Sequence, residues 1–107
     1  MNSNPQEKDW KMFRSMVPEL REQYLRVRNQ ELAATLSDVE LSQTDRFWIT
    51  EEQVGKVAKV LRACLDGHSR SKMEFYMMVM LTHGMMTIDD LANFSEEVRE
   101  RFSMRMQ

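Results

Sequence analysis

The run Phe75-Tyr76-Met77-Met78-Val79-Met80-Leu81 is the longest uninterrupted apolar stretch in the chain, and its reading decides the fold. Seven residues fall far short of the roughly 20 that cross a membrane. At about 100° per residue the run covers every direction around a helix axis, and a helix that is apolar all round is a buried one. Ser69 is placed to cap this helix, and Gly84 is placed to end it after His83. Residues 69–83 are therefore expected to form the central helix of the fold.

The clearest amphipathic pattern lies just upstream. Phe47, Val54, Val57, Ala58, Leu61, Cys64 and Leu65 share one face within about 100° of arc. This predicts one long helix from about Thr44 to Asp66, ended by Gly67. A break at Thr50 is the alternative, because Thr50 and Gln53 have the spacing of a capping box. Further upstream, Trp10, Phe13, Met16 and Val17 give a helix ending near Val17. Pro18 interrupts it, since the residue before a proline is pushed out of the helical region. A second helix then runs from Pro18 to about Leu36. On it Leu20, Tyr24 and Val27 form one apolar group and Leu25, Leu32 and Leu36 another, with Arg21 and Arg28 between them. Glu31 is spaced to pair with Arg28. Downstream, Thr87 begins a short helix, and Ser95 caps a last one with Glu96 and Glu97 in its first turn.

Nothing reads as a strand, and 3 glycines and 2 prolines are too few for the turns of an all-β fold. The expectation is an all-α protein: a compact bundle of five to six helices around the central apolar helix (about 69–83). Its 107 residues fit a single domain, with residues 1–5 as a flexible N-terminal tail.

Composition narrows the function classes. A net charge of −2 supplies no global basic field for nucleic acid or an anionic membrane. One cysteine, Cys64, forms no internal disulfide, and with two histidines it makes no common structural zinc site. His68 and His83 bracket one helix of about 15 residues, roughly 22 Å, so they cannot share an ion. Met1–Asp9 lacks the apolar core of a signal peptide. A reducing, cytoplasmic setting with no membrane partner and no cofactor is expected. No glycine-rich phosphate loop, HExxH or GxSxG motif occurs. Cys64 and Ser69 lie beside His68 only in sequence, which is not how a nucleophilic triad is assembled.

Four features remain as candidates. His68, Ser69, Arg70 and Lys72 combine a helix start with hydroxyl and cationic groups, suited to an anion or an acidic partner group; an ordinary capped turn is the simpler reading. Arg14, Arg21, Arg26 and Arg28 form a basic row, although Glu19, Glu22 and Glu31 alternate with it as on a solvated face. Trp48 and Ile49 project away from the main face of their helix, as apolar interface anchors do. Eleven methionines, eight of them from Met73 onward, suit either a core or an adaptable binding surface. The helix–turn–helix at 51–82 is unsuited to reading DNA, because its second helix carries methionines and aromatics where base-contacting polar groups belong.

These features point to a small non-enzymatic helical interaction module, an adaptor, regulator or inhibitor that binds another protein, with self-association as one form of that binding. The alternative is a nucleic-acid-associated regulator using the local arginine and lysine rows.

Overall fold

The computed structural model describes residues 5–105; all but Pro5 of the expected N-terminal tail lies outside them. Four α-helices account for most of the chain: α1 (Glu7–Leu36), α2 (Gln43–Leu65), α3 (Met73–Thr82) and α4 (Glu96–Arg105). Two short 3₁₀ segments, Arg70–Lys72 and Ile88–Asn93, precede α3 and α4. No strand occurs among the described residues.

Helix α1 does not stop at Pro18. Its 30 residues continue through the proline, a length of about 45 Å. Pro18 removes the N–H that would bond the Arg14 carbonyl. Both residues lie on the exposed side of the helix, where water can serve that carbonyl. On the buried side, Phe13, Leu20 and Tyr24 carry one packed stripe across the proline. That packing outweighs a local preference which, read alone, ends the helix.

Helix α2 is also unbroken. The Ser42 hydroxyl accepts from the Asp45 N–H at 3.0 Å and starts it, one residue before the expected Thr44 boundary, and Thr50 causes no break. Gly67 and Gly84 end their helices at φ 80° and 77°, the left-handed conformation a glycine tolerates. A Cβ on Gly67 would also stand 2.9 Å from the Tyr76 hydroxyl.

The core lies at one end of the molecule. Phe13, Leu20 and Tyr24 from α1 meet Cys64 from α2, Met73, Met77 and Met80 from α3, and Val98 and Phe102 from α4. Met85, Met86, Leu91 and Phe94 fill the connections. Methionine suits such a place, where short segments meet at irregular angles. The compact bundle expected from the sequence is not what these helices form. The molecule measures 57 × 24 × 23 Å with a radius of gyration of 17.0 Å, against about 13 Å for a compact chain of this length. Helix α3 is sealed along the Met73–Met77–Met80 stripe alone, and Phe75 is 61% exposed. The cause is the length of α1 and α2, whose outer halves run past the packed end as a two-helix arm.

One buried charge fastens the packed end. Asp9, in the first turn of α1, is 2% exposed. Its Oδ1 accepts from the Ser95 N–H at 2.8 Å and its Oδ2 from the Ser95 hydroxyl at 2.7 Å. The same hydroxyl accepts from the Val98 N–H at 3.4 Å, so the carboxylate sits over the positive end of α4. Glu74 on α3 takes a bidentate grip from Arg101 on α4 at 2.6–3.0 Å, with Arg105 at 3.3 Å. In the turn before α4, the Asp90 carboxylate accepts from the Thr87 N–H at 2.8 Å and from the Thr87 hydroxyl at 3.1 Å.

Two outcomes check this arrangement. Pro18→Ala restores an interior helix bond and removes a poor helix former, so chemical denaturation is expected to show a gain of about 1–2 kcal/mol; no gain would mean that the helix is interrupted there. Asp9→Ala leaves the buried Ser95 N–H unanswered, with an expected loss of about 2–4 kcal/mol, whereas Asp9→Asn keeps one acceptor and should lose less.

Candidate functional site

The arm begins where the core ends. On α1 it comprises residues 25–36, on α2 residues 43–57, joined by the turn 37–42. The turn is held from within: Arg46 Nε donates to the Asp38 carbonyl at 2.8 Å and the Leu41 carbonyl at 3.2 Å. The Asp38 carboxylate accepts from the Glu40 N–H at 2.9 Å. The arm is thus a closed antiparallel hairpin with a well-bonded tip.

Its seam is polar. Arg28 lies between the helices with its guanidinium 5.1 Å from the Tyr24 ring centre. Its Nε stands 3.1 Å from Glu31 Oε1, the expected i,i+3 charge pair, but in a geometry that makes no hydrogen bond. Thr50 Oγ1 and Gln53 Oε1 are likewise buried without a hydrogen-bond partner. Each orphaned buried group costs on the order of 1–3 kcal/mol.

Several large apolar residues of the arm stand in solvent. Phe47 is 59% exposed, Trp48 60% and Val39 83%, with Leu36, Ile49 and Val54 also exposed. Phe47 and Trp48 meet edge to face at 4.9 Å. Trp48 and Ile49 stand outside the core, as their position off the main face of α2 predicts. Phe47 and Val54 belong to that main face and were expected in the core with Cys64. The same stripe is buried at Cys64, half-buried at Leu65, Leu61 and Val57, and exposed at Val54 and Phe47. Periodicity reveals such a stripe but not the length over which other elements cover it.

The other candidates are placed as follows. The His68 ring is wedged between Phe13, at 5.0 Å, and Tyr76, at 4.7 Å. Its Nε2 lies 2.6 Å from the Cys64 carbonyl; a carbonyl only accepts, so that nitrogen carries the hydrogen. Arg70 reaches the other way, to Glu7 on α1. Ser69 is half-buried, and its hydroxyl makes no capping bond. Lys72 is exposed. The four residues do not converge on a point, and the segment clamps the end of α2 to the start of α1. In the arginine row, the seven-residue spacing sets Arg14, Arg21 and Arg28 along one stripe of α1, while Arg26 turns away from it. Arg14 lies over Trp10 at 5.9 Å and Arg21 Nε stands 3.3 Å from Glu22. Sequence reasoning missed Asp9, which looks there like any acidic residue in a first helical turn.

Cys64 is fully buried, and desolvation pushes its thiol above the ordinary range. No helix among the described residues is long and apolar enough to cross a membrane. No family model, curated protein or solved structure matches this chain.

The buried, undissociated thiol of Cys64 is expected to resist a thiol-reactive dye at pH 8 in the folded protein and to react fully once unfolded. Rapid labelling of the folded protein would mean that the base of the arm opens freely.

Proposed function

We propose that the chain is a non-enzymatic helical protein–protein interaction module and that the outer half of the α1–α2 hairpin is its binding surface. The observation that carries this reading is the apolar stripe of α2, which leaves the core at Val57 and continues into solvent through Val54 and Phe47. Trp48 and Ile49 extend the apolar collar around the helix. Aromatic side chains held on a rigid helix dominate interface energetics when a partner desolvates them. The chemistry-bearing residues near the core support the same reading. Cys64 is sealed from solvent and His68 is spent on a backbone carbonyl, so neither is presented to a substrate. An adaptor, regulator or inhibitor acting inside the cell is the class of protein this surface suits.

A second reading, a nucleic-acid-associated regulator, draws on the Arg14, Arg21 and Arg28 stripe together with Lys56, Lys59 and Arg62. Its signature is affinity for a generic duplex that falls steeply with salt. The carboxylates at the arm tip disfavour it, because phosphate would be repelled there.

The test is a photo-crosslinking side chain placed at Phe47 in the native host, with the same group at exposed Glu100 on the packed end as control. The expected result is a discrete protein adduct, with this chain or another, from position 47 and none from position 100. No adduct at 47, or equal adducts at both, would contradict the proposal.

A further inference from the structure

The reading above leaves open what covers the arm. We infer that it is a second copy of this chain, docked antiparallel so that the tip of each arm lies on the base of the other and the two hairpins form a four-helix bundle. The inference rests on the arm being a binding surface and goes on to name its occupant.

The first ground is charge. Residues 31–52, the tip, carry six carboxylates and one arginine, a net charge of −5. The base of the hairpin, where the arm joins the packed end (residues 14–28 of α1 and 53–65 of α2), carries seven cations and two carboxylates, a net charge of +5. Two copies laid tip on tip would set five negative charges against five. Turned end for end, each acidic tip meets a basic base, twice in one two-fold dimer.

The second ground is where the apolar residues fall. The helices face each other through Tyr24, Arg28, Gln53 and Val57, which line one groove between them. At 100° per residue, Leu25, Leu32 and Leu36 lie on one flank of that line on α1. Phe47, Val54 and Ala58 lie on the flank of the same sense on α2. In an antiparallel pair, flanks of the same sense share one side of the hairpin. On that side Leu36, Phe47 and Val54 are exposed, and Leu25, Leu32 and Ala58 are half-buried beside them. The core residues Phe13, Leu20 and Tyr24 depart from the α1 seam in the opposite sense. On α2 the row of Phe47 and Val54 runs on to Leu61, which packs against the core, so the packed end covers that row at its base and leaves it open from Val54 outward. Toward the base the same side continues into Arg14, Arg21 and Arg62, and toward the tip into Glu51 and the Asp38–Glu40 turn.

Size is adequate. Helix α2 has 23 residues, about 34 Å, and two helices side by side span about 20 Å, a footprint of roughly 700 Å² per copy. A stable interface takes about 600–1,000 Å² per partner. Covering this side would also bury the exposed Leu36, Phe47 and Val54.

Light scattering on the full chain is expected to give twice the chain mass of 12.8 kDa at micromolar concentration. Two variants then test the arrangement. Glu40→Lys with Glu51→Lys makes the tip less acidic, and Arg14→Glu with Arg21→Glu makes the base less basic. Each variant alone should weaken self-association by about tenfold or more. An equimolar mixture should recover it as a heterodimer, because both tip-on-base contacts then join opposite charges. Circular dichroism confirms that each variant is folded, and Phe47→Ser with Val54→Ser should dissociate the dimer without charge change. A wild-type chain that stays monomeric, or a mixture no tighter than its components, would overturn the inference. A monomer whose position 47 still crosslinks to a different protein would overturn it while leaving the interaction-module proposal intact.

Discussion

The structure depends on a mismatch of lengths. The apolar stripe of α2 is longer than the core available to cover it. At the packed end the methionines of α3 and the aromatic residues of α1 and α4 close over Cys64 and leave it no exposed surface. Beyond Val57 no further element among the described residues covers the stripe, and Phe47 and Trp48 stand in solvent. Burying one large apolar side chain is worth about 1.5–3 kcal/mol, which is the free energy the proposed intermolecular contact would draw on.

The two ends of the molecule use different physics. The packed end is held by burial and by a few charged fasteners, of which Asp9 on Ser95 is the most enclosed and Glu74 with Arg101 the best formed. The arm is held by its helical hydrogen bonds, by the closed turn at Arg46, and by a seam in which Arg28, Thr50 and Gln53 sit among half-buried Leu25, Leu32 and Val57. Orphaned polar atoms within the seam, beside exposed Phe47 and Val54, are the observations on which the proposed contact between chains rests.

Most of the helical structure was legible in the residues. Gly67, Gly84, Ser95 and the pairing of Thr87 with Asp90 act where local chemistry places them, because turn and cap preferences depend on few neighbours. The α3 run announced a buried helix, and Met73, Met77 and Met80 are buried, though Phe75 is not. What escaped was set by distant parts of the chain. Pro18 signals a break, yet packing on both sides of it keeps α1 whole. Asp9 finds its partner 86 residues away. Phe47 and Val54 carry the same pattern as Cys64, and only the three-dimensional extent of the core separates them. Trp48 and Ile49 were legible as surface residues because they lie off the stripe.

The central claim is that the arm is bare in a single chain and covered by association. Hydrogen exchange followed across a dilution series measures this directly, because it reports the protection of each amide separately. The account predicts that amides of residues 43–57 gain protection as protein concentration rises, while those of Met73–Met80 keep the same protection throughout. Protection of 43–57 that is equal at every concentration would contradict it.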